Sequence, residues 1–491
     1  MQNVACPSCG APVTFRSHAS VQAVCEFCQT IVLKDADAVK NLGKMSEVLE
    51  DYSPLQIGSG GKFGGKTFSV VGRIQLRYSA GMWNEWYLAY DDGSTGWLGD
   101  SSGLYTLTKE TPEFVTASGG NPAPIPAPIP AFEQLAPAVS HSMNGQNWLT
   151  AEVREGECIA GQGELPFQVG SGWRIRTADF RRNSLFLTLD YSDGPLPRAY
   201  LGQAVTLEQL ECQMLRDDDE VKTSAGKYKG KVDALDCPAC GSGIKFLPGV
   251  TQSLVCPACH SQIDAASPKA QVLAAGTAAQ QVASTLQLGA SAKINGSEHQ
   301  IIGMMQRADD ENTVWTEYLL YNTRGGFIWL VETDEAWYKA KVQTDWPDWS
   351  GGDNVSLSGK PFRKISDYPS QVVYAAGAFN WRVNVGDQTR IVEFDSQGNR
   401  LAAEITEAEM TWSYSSVVAA DQIRAWFGKD IAADKQAAST VSIKWFVIGL
   451  LIANAIPLLG GNFVTWVIVI AGILAIYLPH QFMSDSSKGS K

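Results

Sequence analysis

Two quartets of cysteine constrain this chain more than any other feature. Cys6-Pro-Ser-Cys9-Gly10 is answered by Cys25-Glu-Phe-Cys28, and Cys237-Pro-Ala-Cys240-Gly241 by Cys256-Pro-Ala-Cys259. Every thiol of the second quartet follows its counterpart at one constant offset, so a unit larger than the quartet is duplicated. Two Cys-x-x-Cys pairs with 15 residues between them have the spacing of a four-thiolate zinc ribbon. Gly10 and Gly241 supply the backbone freedom that a tight knuckle needs. The spacing predicts two structural zinc ions, each tying together hairpins too small to hold a core of their own. Four thiolates leave no open coordination position, which argues against metal catalysis. The competing chemistry is a redox pair or a disulfide; two pairs per unit, occurring twice, point away from it.

Composition fits several folded domains. The chain has 491 residues, 45% hydrophobic and 18% charged, enough for substantial cores and roughly three or four domains. A net charge of −12 disfavours general nucleic-acid binding by the ribbons. Eight of the ten cysteines sit in the quartets, which implies a reducing compartment. Cys158 and Cys212, the other two, read as buried thiols. Met1 to Ala5 has neither the basic region nor the apolar run of a secretory signal, so none is expected.

The repeat extends well past the thiols. Residues 1–34 form the first ribbon and 232–266 the second. Asp35 to Glu50, with Val39, Leu42, Met45, Val48 and Leu49 on one face, predicts a connecting helix, and 268–288 predicts its counterpart. Runs rich in β-branched and aromatic residues follow. Thr67–Val71, Glu85–Tyr90 and Gly96–Leu98 read as strands, with a hairpin turn at Asp91-Asp92-Gly93. Gly72 and Gln75 recur as Gly303 and Gln306; Trp83-Asn-Glu85 recurs, shifted by a single insertion, as Trp315-Thr-Glu317. Asn121 to Pro130, proline at alternate positions, is an extended spacer inserted in the first copy. Beyond it Gly163 and Gly172 match Gly377 and Gly386 at a smaller constant offset, so the second copy is shorter between these landmarks. The β-rich domains span 53–212 and 284–428. The expected fold is mainly β: two tandem modules, each a zinc ribbon plus a small barrel-like or sandwich-like domain.

These residues carry a resemblance. The ribbon, Trp-x-Glu-(aromatic), Gly377 with its aromatics, Val-x-Val-Gly386-Asp387 and Glu409-Met-Thr-Trp412-Ser413 together resemble the bacterial domain of unknown function 4178 family. The resemblance covers roughly 53–212 and 284–428. It implies an all-β fold, no settled activity, and an association with envelope, polyamine-synthesis and membrane-stress components. The first copy departs from the pattern: Trp173 stands at the place of Asp387 and no Trp-Ser follows. What Asp387 and Trp412 do is therefore expected of the second module alone.

No nucleophile motif is recognisable. The five histidines pair with no nearby Ser or Cys, His260 reads as a ribbon side chain, and Gly58-Ser-Gly-Gly61 lacks the Gly-Lys-Ser/Thr of a phosphate loop. Glu85 and Glu317 alternate along aromatic strands and are expected on the solvent face rather than as general bases. The tryptophans are expected mainly in cores. Candidate partner or ligand residues are Asp387, Trp412, Glu317 and Trp381; catalytic residues are not expected.

The last part of the chain changes solvent. Ile443 to Leu459 and Phe463 to Leu478 are apolar apart from Lys444, Asn454 and Thr465, with a Pro457-to-Asn462 break between them. Each helix would span roughly 25 Å, slightly under a bilayer core. Residues 441–480 therefore predict a transmembrane hairpin. Lysines flank it on both sides and its turn has none, so both termini and the modules face the cytoplasm of a bacterial inner membrane. The expected function is a membrane-tethered cytosolic zinc-ribbon adaptor or sensor that binds protein partners in envelope or membrane stress. The alternative is an enzyme or small-ligand-binding protein using an aromatic cleft of the second β domain.

Overall fold

The computed structural model describes residues 2–17, 19–34, 39–45, 53–79, 81–101, 103–114, 129–170, 172–217, 235–244, 253–259, 261–264, 271–274, 284–322, 325–349, 351–428 and 431. In the first module β1 (Gln2–Ala5) and β2 (Pro12–Phe15) make one ribbon hairpin, β3 (Gln22–Val24) and β4 (Thr30–Lys34) the other, and β5 (Val39–Lys44) lies on β4. Two similar halves follow. The first comprises β6 (Gly60–Phe63), β7 (Lys66–Tyr78), β8 (Met82–Tyr90), β9 (Thr95–Ser101) and β10 (Leu104–Glu110). The second comprises β11 (Ser140–Met143), β12 (Gln146–Leu165), β13 (Arg174–Arg182), β14 (Leu185–Asp190) and β15 (Arg198–Val205). Pairing runs β12-β13-β14-β15-β10-β9-β8-β7, and β7 pairs back onto β12. Eight antiparallel strands thus close into a barrel.

The second module repeats this layout. Its ribbon is β16 (Leu235–Asp236), β17 (Gly243–Ile244), β18 (Ser253–Val255) and β19 (Gln262–Asp264), with β20 (Gln271–Ala274) on β19. Its halves are β21 (Ser291–Ile294), β22 (Ser297–Asp309), β23 (Val314–Asn322), β24 (Gly326–Glu332) and β25 (Trp337–Val342), then β26 (Asn354–Leu357), β27 (Lys360–Phe379), β28 (Gln388–Ser396), β29 (Asn399–Ile405) and β30 (Met410–Val418). β22 pairs back onto β27 and closes the second barrel. Helix α1 (Ala420–Phe427) buries Ile423 against Leu286 and Trp337.

One long strand organises each module. β27 pairs β28 through Arg363–Gln371, β22 through Ser370–Gly377, and the ribbon strand β18 through Gly377–Phe379. Ribbon and barrel therefore share a single sheet. Two glycines make the crossing possible. A Cβ on Gly377 would lie 2.4 Å from the Ile302 carbonyl oxygen, and one on Gly303 would lie 2.5 Å from that of Ala378. Gly377 also has φ +93°, a conformation that only glycine adopts without strain. Gly72 and Gly163 do the same in the first module. The glycines that mark the repeat in sequence are the barrel's closure points.

Strand alternation puts apolar side chains on the outer faces of each half-barrel, where the short hairpins and loops cover them. Phe68, Trp86, Leu88 and Leu98 form one such core and Trp148, Phe180, Leu187 and Leu189 another. In the second barrel Tyr318, Leu330 and Trp337 mirror the first, and Phe394, Leu401 and Trp412 the second. The two modules share this last core, since Ala151 packs into it. Between modules the Val153 N–H donates to the Ala408 carbonyl at 2.9 Å, the Trp346 N–H to Asn183 at 3.3 Å, and Arg181 to the Thr344 carbonyl.

The predicted strands and the Asp91–Gly93 turn are present. The connecting helices are not. Val39–Lys44 is strand β5 and Gln271–Ala274 is strand β20, each zipped onto the edge of its ribbon hairpin. Val39, Asn41 and Gly43 are weak helix formers, and the open edges of β4 and β19 offer backbone partners that a short isolated helix lacks. Residues 35–38, 46–50, 265–270 and 275–283 lie outside the described residues, as do His260, 121–128 of the proline spacer and the whole of the 441–480 hairpin. Among the described residues no helix is long and apolar enough to cross a membrane.

Gly377→Ala should cost at least about 2 kcal/mol in urea unfolding followed by tryptophan fluorescence, because φ strain and backbone overlap add. Gly398→Ala, at a positive-φ turn with open space around it, should cost only about 1 kcal/mol. Equal effects at the two sites would refute the crossing as the critical contact.

Candidate metal centres and ligand cavity

Each ribbon brings its four thiols together. Sγ–Sγ distances are 3.6 Å for Cys6–Cys28 and 3.7 Å for Cys9–Cys25, then 3.6 Å for Cys237–Cys259 and 3.8 Å for Cys240–Cys256. All four ligand atoms of a quartet lie within 4.8 Å of one another. Metal–sulfur bonds of about 2.3 Å at tetrahedral angles place sulfurs about 3.8 Å apart, whereas a disulfide would draw them to about 2.05 Å. The spacing fits a four-thiolate ion. Knuckle hydrogen bonds preset it: the Gly10 N–H donates to the Cys6 carbonyl at 2.9 Å and the Gly241 N–H to that of Cys237 at 2.8 Å. Hydroxyls sit beside the outer ligands, Thr30 at 3.2 Å from Cys28 and Ser242 at 3.4 Å from Cys240. The Thr30 hydroxyl, then its backbone, pulls the Cys28 thiol down to about 6, and Ser242 does the same for Cys240. These two positions favour the thiolate that a metal requires, while Cys9 and Cys256 of the same quartets are pushed up to about 12, Cys256 by burial first.

The first ribbon has an additional anchor. Glu164, buried on β12, accepts the N–H groups of Arg16 at 2.6 Å and Ser17 at 2.9 Å, and the Ser20 hydroxyl at 2.8 Å. The matching position of the second copy, next to Gly377, is Ala378, so the second ribbon lacks this clamp.

Inside the barrels charged and polar residues share the lumen with apolar ones, Ile74, Leu76, Trp83 and Trp97 in the first and Met305, Phe327 and Trp329 in the second. Glu85 and Glu317 face the lumen, not solvent, which corrects the sequence expectation. Alternation does turn them away from the outer core, but barrel closure encloses the other face. Each accepts the indole N–H of the tryptophan two positions before it: Trp83 to Glu85 at 2.9 Å, Trp315 to Glu317 at 2.7 Å. Burial pushes the Glu85 carboxyl up to about 8, against the Trp83 hydrogen bond. Burial also raises Glu317, opposed by Arg307.

Two further acidic positions are common to both lumens. Asp179 and Asp190 correspond, at the offset that links Gly163 to Gly377, to Glu393 and Glu404. Their cationic partners differ between the copies. In the second barrel buried Arg307 lies 3.6 Å from Glu317 and 3.3 Å from Glu404, while Arg400 lies 3.8 Å from Glu393 and stacks on Tyr338. In the first, Leu76 occupies the position of Arg307, and Arg154 pairs with Glu152 at 2.6 Å. Arg154 also reaches Glu409 of the second module at 3.5 Å and stacks on Tyr78.

The cavities differ in size. The first lumen, lined by Trp83, Glu85, Trp97, Asp179 and Tyr200 among others, has a volume of about 250 Å³. The second lumen continues into the groove between the modules, and together they enclose about 2370 Å³.

Of the four candidate residues Glu317, Trp381 and Asp387 line the large cavity, and Trp412 does not. Glu317 is lumenal. Trp381 borders the same cavity, its ring 5.5 Å from Trp329 and 5.8 Å from Phe379. Asp387 caps its own turn, accepting the Asn384 N–H at 2.7 Å and its side-chain amide at 3.0 Å. Trp412 is fully buried in the outer core against Phe394 and Trp349. Cys158 is buried, and burial pushes its thiol up to about 12; burial also takes Cys212 to about 11. Sequence reasoning missed Glu164, Arg307, Glu393 and Glu404. The signal for Arg307 was a lone charge in the run Ile301 to Met305 and beyond.

Two predictions come from these sites. Protein purified under reducing conditions should carry two equivalents of zinc by elemental analysis, and C237S/C240S should lose one; none bound, with paired disulfides, would overturn this. The second concerns Glu85. Its carboxyl sits higher in the fold than in the unfolded chain, so its contribution is full below about pH 4.5 and is lost as pH rises towards 8. Glu85→Gln keeps an acceptor for Trp83 and should stabilise the protein by about 1–3 kcal/mol at pH 8 and little at pH 4.5. An identical unfolding midpoint at both pH values would refute lumenal burial.

The model of a family described as a domain of unknown function, DUF4178, matches residues 56–207 and 287–420. No curated protein and no solved structure matches the chain. The matched stretches fall on the two barrels and together cover more than half of the sequence. The chain therefore belongs to the DUF4178 family, in two tandem copies.

Proposed function

We propose that this chain is a binding protein: a membrane-tethered adaptor or sensor that takes a protein partner into the cleft between its modules, with two structural zinc ions fixing the ribbons. The observation that carries the reading is the cavity of about 2370 Å³ walled by both modules. Drug-sized sites usually measure about 300–1,000 Å³. The inter-module hydrogen bonds and shared core hold the two walls together, as a docking cleft requires. The second reading, a small ligand in the lumen of the second barrel, is favoured by the Trp315–Glu317–Arg307 constellation. In neither reading is the protein an enzyme. Residues 441–480 serve as the tether, a hairpin in the bacterial inner membrane that leaves both termini and the modules in the cytoplasm, and the setting is envelope or membrane stress.

A photo-crosslinking amino acid placed in the full chain tests the cleft in cells. At Glu335, an exposed residue lining the cavity, it should capture one defined protein; at Leu196, which is 86% exposed and outside the cavity, it should not. No adduct at Glu335, or the same adducts at both, would sink the adaptor reading. A reporter active only in the periplasm, fused after Lys491, should stay silent; a signal would sink the proposed topology.

A further inference from the structure

Charge is unevenly placed on this molecule. Among the described residues, sixteen of the side chains lining the large cavity are acidic and seven are basic. That excess of nine compares with a net charge of −12 for the whole chain. Burial raises Glu152, Glu317 and Glu409; even with all three protonated the excess is six. Part of it sits on exposed hairpin tips. Asp310 and Glu311 lie between β22 and β23, Asp334 and Glu335 between β24 and β25, and all four are exposed.

The walls also show how a cation is held. Arg400 lies with its guanidinium 4.6 Å from the Tyr338 ring centre and near Glu393. Arg154 lies 4.4 Å from the Tyr78 ring centre and 5.4 Å from that of Trp83, between Glu152 and Glu409. Ring face plus carboxylate is the recurrent way to bind a guanidinium or ammonium in a partly desolvated site. Trp315, Trp329 and Trp381 extend the aromatic lining. An acidic rim leading to such walls concentrates cations and steers them inward. The volume exceeds what one small cation fills, so the occupant is a polymer.

We infer that the partner's docking element is a basic polypeptide segment, whose Lys and Arg side chains enter the cleft past the rim at 310–311 and 334–335. This rests on the adaptor reading and specifies its chemistry. Association is steered by the rim and weakens with salt, while aromatic stacking inside holds the individual side chains.

The test uses the full chain in detergent micelles and a fluorescein-labelled 12-residue peptide alternating Lys or Arg with Gly or Ser. Its control replaces every Lys and Arg with Gln. Anisotropy at low salt should show the basic peptide binding at least tenfold tighter than the control, with affinity falling as salt is raised. The variant D310N/E311Q/D334N/E335Q should lose at least tenfold while keeping two zinc equivalents and its unfolding temperature. Equal binding of the two peptides overturns the inference, as does a salt-independent affinity, which needs no variant to measure. Displacement by butylammonium or magnesium at concentrations equal to the peptide's also overturns it, and marks a small-cation site. With the crosslinker at 335, capture that survives D310N/E311Q/D334N overturns this inference while leaving the adaptor reading intact. Loss of capture in the wild type, with selective peptide binding retained, supports the cleft chemistry and removes only the adaptor.

Discussion

Everything in this protein depends on a backbone crossing. Where β22 meets β27, Gly303 and Gly377 bring two main chains so close that any side chain at either position would overlap a carbonyl. That contact lets one 20-residue strand belong to two half-barrels and still reach the ribbon. Without it the halves would be two open sheets with unpaired edges, and short isolated sheets are marginal in water. The ribbon depends on it as well, because β18 borrows its barrel-side hydrogen bonds from Gly377 to Phe379. The thiol quartet and the barrel are thus joined through the backbone of a single strand.

Closure has a chemical consequence. Each half-barrel buries part of its apolar side chains outward, so acids on the opposite face of the same strands share the lumen with the remaining aromatic and aliphatic side chains. Glu393 is flanked along its strand by Val392 and Phe394, and Glu404 follows Ala403. The flanking apolar residues are fully buried in the outer core, while the acids line the cavity. Carboxylates in a confined space are unfavourable unless paired or protonated. The fold answers with indole N–H donors, with Ser366 donating to Glu393 at 2.8 Å, and with arginines stacked on rings. A lumen so furnished is expensive to keep dry and inert, which is the physical reason to read it as a place for binding.

The sequence made parts of this legible and hid others for identifiable reasons. Thiol spacing alone located both quartets, because four sulfurs at fixed offsets have few other uses. The duplication was visible in Gly72, Gly303, Gly163 and Gly377, although nothing local disclosed that these glycines face one another across a crossing. Period-two alternation correctly set Glu85 and Glu317 apart from the outer core. It could not say whether the second face meets solvent or a lumen, since closure is a property of eight strands together. The connecting helices failed for a related reason: the spacing of Val39, Leu42 and Met45 is local, while the unpaired edge that captured the segment is not. Glu164 clamps the ribbon turn at Arg16, Ser17 and Ser20 from a strand near the other end of the module, beyond the reach of any motif.

The two copies divide the work that duplication first made redundant. Both keep three lumenal acids at matching positions, Glu85, Asp179 and Asp190 in one and Glu317, Glu393 and Glu404 in the other. The first copy adds Glu164 to clamp its ribbon and has Phe186 and Tyr200 in its lumen where the second has Arg400 and Ser413; its volume is about 250 Å³. The second replaces Leu76 by Arg307 and Glu152 by Ser366, and opens its lumen to the groove. Arg154, whose matching residue in the second copy is Tyr368, points across to Glu409 and helps to close that groove from the side of the first module. The asymmetry lies in the cations: burial raises Glu85, Asp179 and Asp190 in the first lumen, whereas in the second Arg307 stands 3.6 Å from Glu317 and 3.3 Å from Glu404.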